Sequence, residues 1–118
     1  METLPFDIAE ALGSIDAAIT VCDADMKLLY MNGIATRNFS GKNGPPPIGS
    51  SLLDCHKPQS IETMKAMLAS GKSNVYTILK GGRKKLIWQA PWMKEGRIAG
   101  LVEISIQLPD SMPHYDRG

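Results

Sequence analysis

Ala17-Ala18-Ile19-Thr20-Val21-Cys22-Asp23-Ala24-Asp25-Met26-Lys27-Leu28-Leu29-Tyr30-Met31-Asn32 runs out as one strand, turns, and returns as another. Ala17, Ile19 and Val21 alternate with Ala18, Thr20 and Cys22, the period of a half-buried strand. Asp23-Ala24-Asp25-Met26 supplies the turn, because aspartate side chains bond to backbone a residue or two further on. Lys27 to Met31 completes a hairpin.

Downstream, Asn32 is placed to cap a short helix over Ile34 to Phe39. Gly41 to Gly49 is turn-rich, and Pro45-Pro46-Pro47 stiffens it as a spacer. Ser50 to Cys55 has room for one helical turn. The spacing of Ile61, Met64 and Leu68 predicts a longer helix from Gln59 to Ser70, with Pro58 near its start and Gly71 just past its end. The last third reads as an antiparallel meander: Asn74 to Lys80, a Gly81-Gly82 turn, Lys85 to Met93, a turn over Lys94 to Arg97, and Ile98 to Leu108. In the final strand Val102, Ile104, Ile106 and Leu108 alternate with Leu101, Glu103, Ser105 and Gln107. Pro91 has no N–H to give a ladder, so it marks a bulge or an edge.

Upstream, Ile8, Ala11, Leu12 and Ile15 share one face of an amphipathic helix over Asp7 to Ile15, with Asp7 and Glu10 at capping-box spacing. That stripe needs a surface to cover, on this chain or on a partner. The expected division is an N-terminal helix over residues 1–16, one domain over 17–108, and a tail over 109–118.

At 118 residues and 43% hydrophobic, the chain suffices for one domain with a real core. A net charge of +1, with Arg83-Lys84-Lys85 read as a solvated turn, leads to the expectation of no nucleic acid among its partners. No stretch is apolar and long enough for a bilayer and no signal-peptide pattern opens the chain, so no membrane and a cytoplasmic setting are expected. Cys22 and Cys55 are too few for a disulfide framework.

The element order, with particular residues, resembles the PAS family. Ala18-Ile19-Thr20-Val21-Cys22-Asp23 followed by Leu29-Tyr30-Met31-Asn32 is similar to the opening PAS hairpin, and Ile48-Gly49 with Leu52-Leu53-Asp54 to the step before its long helix. Asp54-Cys55-His56 with Ser60, and Ile98-Ala99-Gly100-Leu101-Val102-Glu103, resemble one PAS subgroup, although Lys57-Pro58 stands where that subgroup has two prolines. The resemblance covers residues 8 to 108. It implies an α+β fold: a five-stranded antiparallel sheet with short helices and one longer helix on one face, plus the N-terminal helix.

It also implies where ligands sit, between the sheet and the long helix. His56, just before that helix, is then a candidate axial ligand for heme iron; the plainer reading has it bonded to the loop and orienting the helix. Cys55 stands where light-sensing relatives attack a flavin. Their surrounding segment and paired asparagines are missing here, and Gln107 alone falls near a flavin-reading position. Met64, Leu68 and Trp88 are candidates to line the pocket. Glu103, Ser105 and Gln107 form a polar stripe that either fixes a ligand or is the solvated side of the sheet; the subgroup also carries an acid at Glu103. Trp88 and Trp92 share a face that packs the core or covers a dimer surface.

No catalytic set emerges. Cys55 and His56 are sequence neighbours that project apart, and Cys22, Cys55, His56 and His114 lack zinc spacing. The expectation is a sensory binding module, not an enzyme. It would take a small molecule or cofactor, with heme as a candidate and flavin disfavoured, and signal through a homodimer or a partner signalling protein. The alternative is a ligand-free dimerisation module.

Overall fold

The computed structural model describes residues 5–54 and 56–118. Five strands form one sheet: β1 (Ala18–Asp23), β2 (Leu28–Met31), β3 (Asn74–Lys80), β4 (Arg83–Lys94) and β5 (Arg97–Gln107). Their order is β2-β1-β5-β4-β3, and every neighbouring pair is antiparallel. The hairpin and the meander read from the sequence are thus zipped together by β1 against β5, from Ala18 opposite Ser105 to Asp23 opposite Gly100. Helices α1 (Ile8–Gly13), α2 (Gly33–Asn38) and α3 (Pro58–Ser70), with a 3₁₀ turn at Leu52–Asp54, complete the fold. This is the expected α+β architecture.

Local chemistry accounts for the boundaries. Asp23 Oδ1 accepts from the backbone N–H groups of Asp25 and Lys27, both at 2.9 Å, and so closes the β1–β2 turn. Pro58 stands at the first position of α3, where its missing donor costs nothing. Gly71 ends that helix in the left-handed conformation at φ 74°, its N–H donating to the Met67 carbonyl. Pro91 sits opposite Leu101 on β4 beyond Gln89, the last β4 residue paired with β3. There β4 has no β3 partner, the edge setting that a residue without an N–H tolerates.

The core lies where α3 and the 3₁₀ turn meet β1, β2 and β5: Cys22, Met26, Leu28, Leu52, Met64, Met67 and Leu101, with Met31, Ile61 and Leu68 packed against it. This position decides which face of the sheet is which. Cys22 pairs with Leu101, so Leu101 points toward α3, and strand periodicity sends Glu103, Ser105 and Gln107 the same way. The polar stripe faces the helix side. Val102, Ile104 and Ile106 occupy the other face, opposite Ala90, Trp88 and Leu86.

Helix α1 is shorter than its apolar stripe suggests and has no buried residue; Ile8 is 54% exposed. Hydrogen bonds hold it instead. Asn32 Nδ2 donates to the Leu12 carbonyl at 2.9 Å, and Tyr30 Oη to the Ala9 carbonyl at 3.3 Å.

Candidate ligand cavity

A cavity of about 480 Å³ opens between the inner face of the sheet and the segments carrying α2, the proline connector and α3. Its walls are mostly apolar: Cys22, Leu28, Met31, Leu52, Met64, Met67 and Leu101. A wider groove of about 860 Å³ shares Phe39, His56, Met64, Gln89 and Glu103 with it. That groove continues over the uncovered half of the sheet toward Lys80, Arg83 and Lys85. Helix α3 is too short to roof the whole inner face, which leaves Tyr76 and Ile78 there 41% and 36% exposed.

The cavity floor carries one polar row. Thr20 on β1 stands opposite Glu103 on β5, Glu103 opposite Gln89 on β4, and Gln89 opposite Asn74 on β3. Asn74 Nδ2 donates to Gln89 Oε1 at 3.0 Å, and Gln89 Nε2 donates to Glu103 Oε1 at 2.7 Å. Glu103 is the only acid among the described residues lining either the cavity or the groove. Burial, and secondarily the Glu103 charge, raise the Tyr76 phenol above its ordinary range. Burial likewise pushes the Cys22 thiol up, so Cys22 stays a protonated core group rather than a nucleophile.

The sequence candidates are brought together only in part. Met64, His56 and Glu103 line both spaces, and Gln107 lines the groove, where Arg83 Nη1 donates to its Oε1 at 3.3 Å. Leu68 packs against the core cluster instead of lining the cavity. Trp88 stands on the opposite face, across from Ile104 and 48% exposed. A bulge between Trp92 and Met93 shifts the β4–β5 register by one residue, and that shift gives Gln89 the place beside Glu103. Cys55 lies outside the described residues. Asn74, Gln89 and Thr20 were missed by sequence reasoning; the signal for them is cross-strand register, which single-strand alternation does not carry.

His56 Nδ1 lies 2.9 Å from the Leu52 carbonyl, which can only accept, so Nδ1 carries the proton and the ring is held against the 3₁₀ turn. Lys42 on the connector lines the cavity as well, so the Glu103 carboxylate on its floor shares that space with a cation.

No protein-family model matches the chain, and no curated protein matches it. Solved structures do. The PAS domain of the histidine kinase ThkA is 18% identical over 78% of this chain and 99% of its own, with a TM-score of 0.63. A PAS domain from Colwellia psychrerythraea is 17% identical over 86% and 93%, with a TM-score of 0.61. VqmA of Vibrio cholerae, in a complex with ligand and DNA, is 15% identical over 92% of this chain, with a TM-score of 0.68. This chain spans 54% of that receptor's length. One antiparallel sheet with its longest helix, α3, packed on one face places the protein among single-sheet α+β domains. The chain has the PAS fold.

The VqmA likeness corrects one expectation. Net charge led to nucleic acid being left out of the partners, yet this fold makes up about half of a receptor solved on DNA. A charge balance counted over one domain does not report on DNA contacts of a protein that contains such a domain. No helix among the described residues is long and apolar enough to cross a membrane.

Proposed function

We propose that this PAS domain is a sensory module that binds a small molecule in the cavity between the sheet and α3, and that it works without catalysis. The observation that carries the reading is the cavity itself: apolar walls, with a few polar groups ordered on one side, are what small-molecule sites are built from. VqmA, similar in fold, has been solved bound to DPO. The test is mass spectrometry and an absorption spectrum of the protein as purified, beside Met64→Trp, which fills the cavity. A molecule retained by the wild type and lost from the folded variant is the expected result, and heme or flavin would be read in the same spectra. A molecule carried equally by both proteins, or none in either, would sink the cavity reading.

The face turned away from α3 favours a second role, relay through a second copy of this chain. Val75, Leu79, Trp88 and Ile106 all project there and are exposed, Leu79 by 75%. An apolar group of that kind, lying together, marks an interaction surface rather than scattered solvent contacts. VqmA is described as a dimer, which supports a like partner. Trp88→Lys is expected to convert a dimer to a monomer by light scattering without emptying the cavity. A wild type that is monomeric at every concentration tested excludes this relay.

A further inference from the structure

We infer that the groove is the second half of the ligand site: the ligand's apolar body fills the cavity, and an anionic end extends past the polar row to Lys80, Arg83 and Lys85. The inference rests on the ligand-binding reading above and deepens it. The two spaces are continuous, since Phe39, His56, Met64, Gln89 and Glu103 line both. The row of Asn74, Gln89 and Glu103 is the sill between them. Leu101 lines the cavity on one side of Glu103, and Ser105 and Gln107 line the groove on the other. Amide and carboxylate side chains make up that sill, so a polar linkage such as an amide suits the crossing.

Charge at the far end of the groove carries the inference. Strand parity puts Lys80, Arg83 and Lys85 on the groove face, with Lys80 directly opposite Arg83 and Lys85 further along β4. Like charges set opposite one another on a sheet are destabilising. Among the described residues no acid is ion-paired with any of the three, and Arg83 donates instead to the neutral Gln107. Lys85 is half-buried, so its ammonium has lost part of its water without gaining a counter-ion. Glu103 does not neutralise this end. It sits at the sill, about 13 Å along β5 from Gln107, the residue opposite Lys85. It also shares the cavity with Lys42. An anion that reaches the hairpin end relieves the repulsion there and gains charge-assisted bonds, which are the strong ones.

The test titrates the intact chain with N-octanoylglycylglycine and with its C-terminal amide, probes that differ by a single charge, read by amide chemical shifts. The carboxylate is expected to bind more tightly by about fivefold or more, an advantage that shrinks as salt is raised. Arg83→Gln combined with Lys85→Gln is expected to remove most of that advantage without weakening the amide. Lys84→Gln takes a charge from the same hairpin, but Lys84 stands opposite Leu79 on the outward face, so the advantage should remain. If the carboxylate binds wild type no better than the amide, and Met64→Trp abolishes both, the cavity reading stands and the anionic end is overturned. An advantage that survives in the double variant, or is lost equally in Lys84→Gln, overturns it as well. If neither probe binds the folded wild type, the inference is likewise overturned, while the co-purified ligand decides the cavity reading separately.

Discussion

Asn32→Leu is expected to destabilise the domain by about 4 kcal/mol, a large share of what a domain of this size has. Asn32 is 2% exposed, and its side chain makes four bonds to four separate backbone groups. Its Oδ1 accepts from Ile19 N at 3.0 Å and Ala35 N at 3.1 Å; its Nδ2 donates to the carbonyls of Leu12 at 2.9 Å and Ala17 at 2.7 Å. One amide thus caps α2, begins β1, and ties the end of α1 to the sheet. Leucine has the same branched skeleton and is no smaller, so the loss comes from stranded backbone groups rather than from a cavity. Asn32→Asp separates the two halves of the side chain. It keeps both acceptor bonds but sets a carboxylate against two carbonyl oxygens, so it is expected to be destabilised as well. Chemical denaturation midpoints with unchanged slopes are the readout. A loss under about 1 kcal/mol in both variants would show that this side chain is not the junction the geometry makes it.

The architecture was legible because its signals are local. Alternation marks β1 and β5, turn residues mark Asp23 to Met26, and Pro58 with Gly71 brackets α3 within a residue. Asn32 reads as a cap from position alone, but its bonds to Leu12, Ala17 and Ile19 belong to the tertiary structure. The candidate site was legible for Met64, His56 and Glu103, which depend on helix spacing and strand parity.

Register is where the reading stopped. Carrying the pair Lys94–Arg97 back along the hairpin without interruption sets Trp88 opposite Glu103, on the cavity side. The bulge between Trp92 and Met93 moves Gln89 into that place and turns Trp88 outward. No feature of residues 88 to 93 announces the bulge except Pro91 nearby. One extra residue therefore exchanges an indole for an amide on the cavity floor, and an apolar anchor for a polar group on the opposite face. Both proposed surfaces, the cavity and the outward apolar face, depend on that shift.

The second large effect is expected at Gly100, where alanine should cost about 3 kcal/mol. Gly100 is buried on β5 opposite Asp23 and Trp92. A Cβ there would land on the Cys22 carbonyl oxygen, 2.7 Å from Trp92 Nε1 and 2.8 Å from Asp23 Cα. The first and last of these are backbone and cannot swing aside. The indole could, but only by giving up its 2.9 Å bond to the same Cys22 carbonyl. Alanine in place of glycine ordinarily helps slightly by restricting the unfolded chain, so a loss at Gly100 has the opposite sign from the general trend. Gly41→Ala, with nothing within 4 Å of the added carbon, is the control and should be near neutral. The consequence reaches the site because β1 and β5 meet in one ladder: prising Gly100 from Cys22 shifts Cys22 against Leu101 and Thr20 against Glu103. Amide shifts at Thr20 and Glu103 are therefore expected to move in Gly100→Ala and to stay in place in Gly41→Ala. If Gly100→Ala is as stable as the control, β1 and β5 do not approach this closely. Thr20 then cannot be counted beside Glu103, and the polar row shortens to the three residues that hydrogen-bond directly.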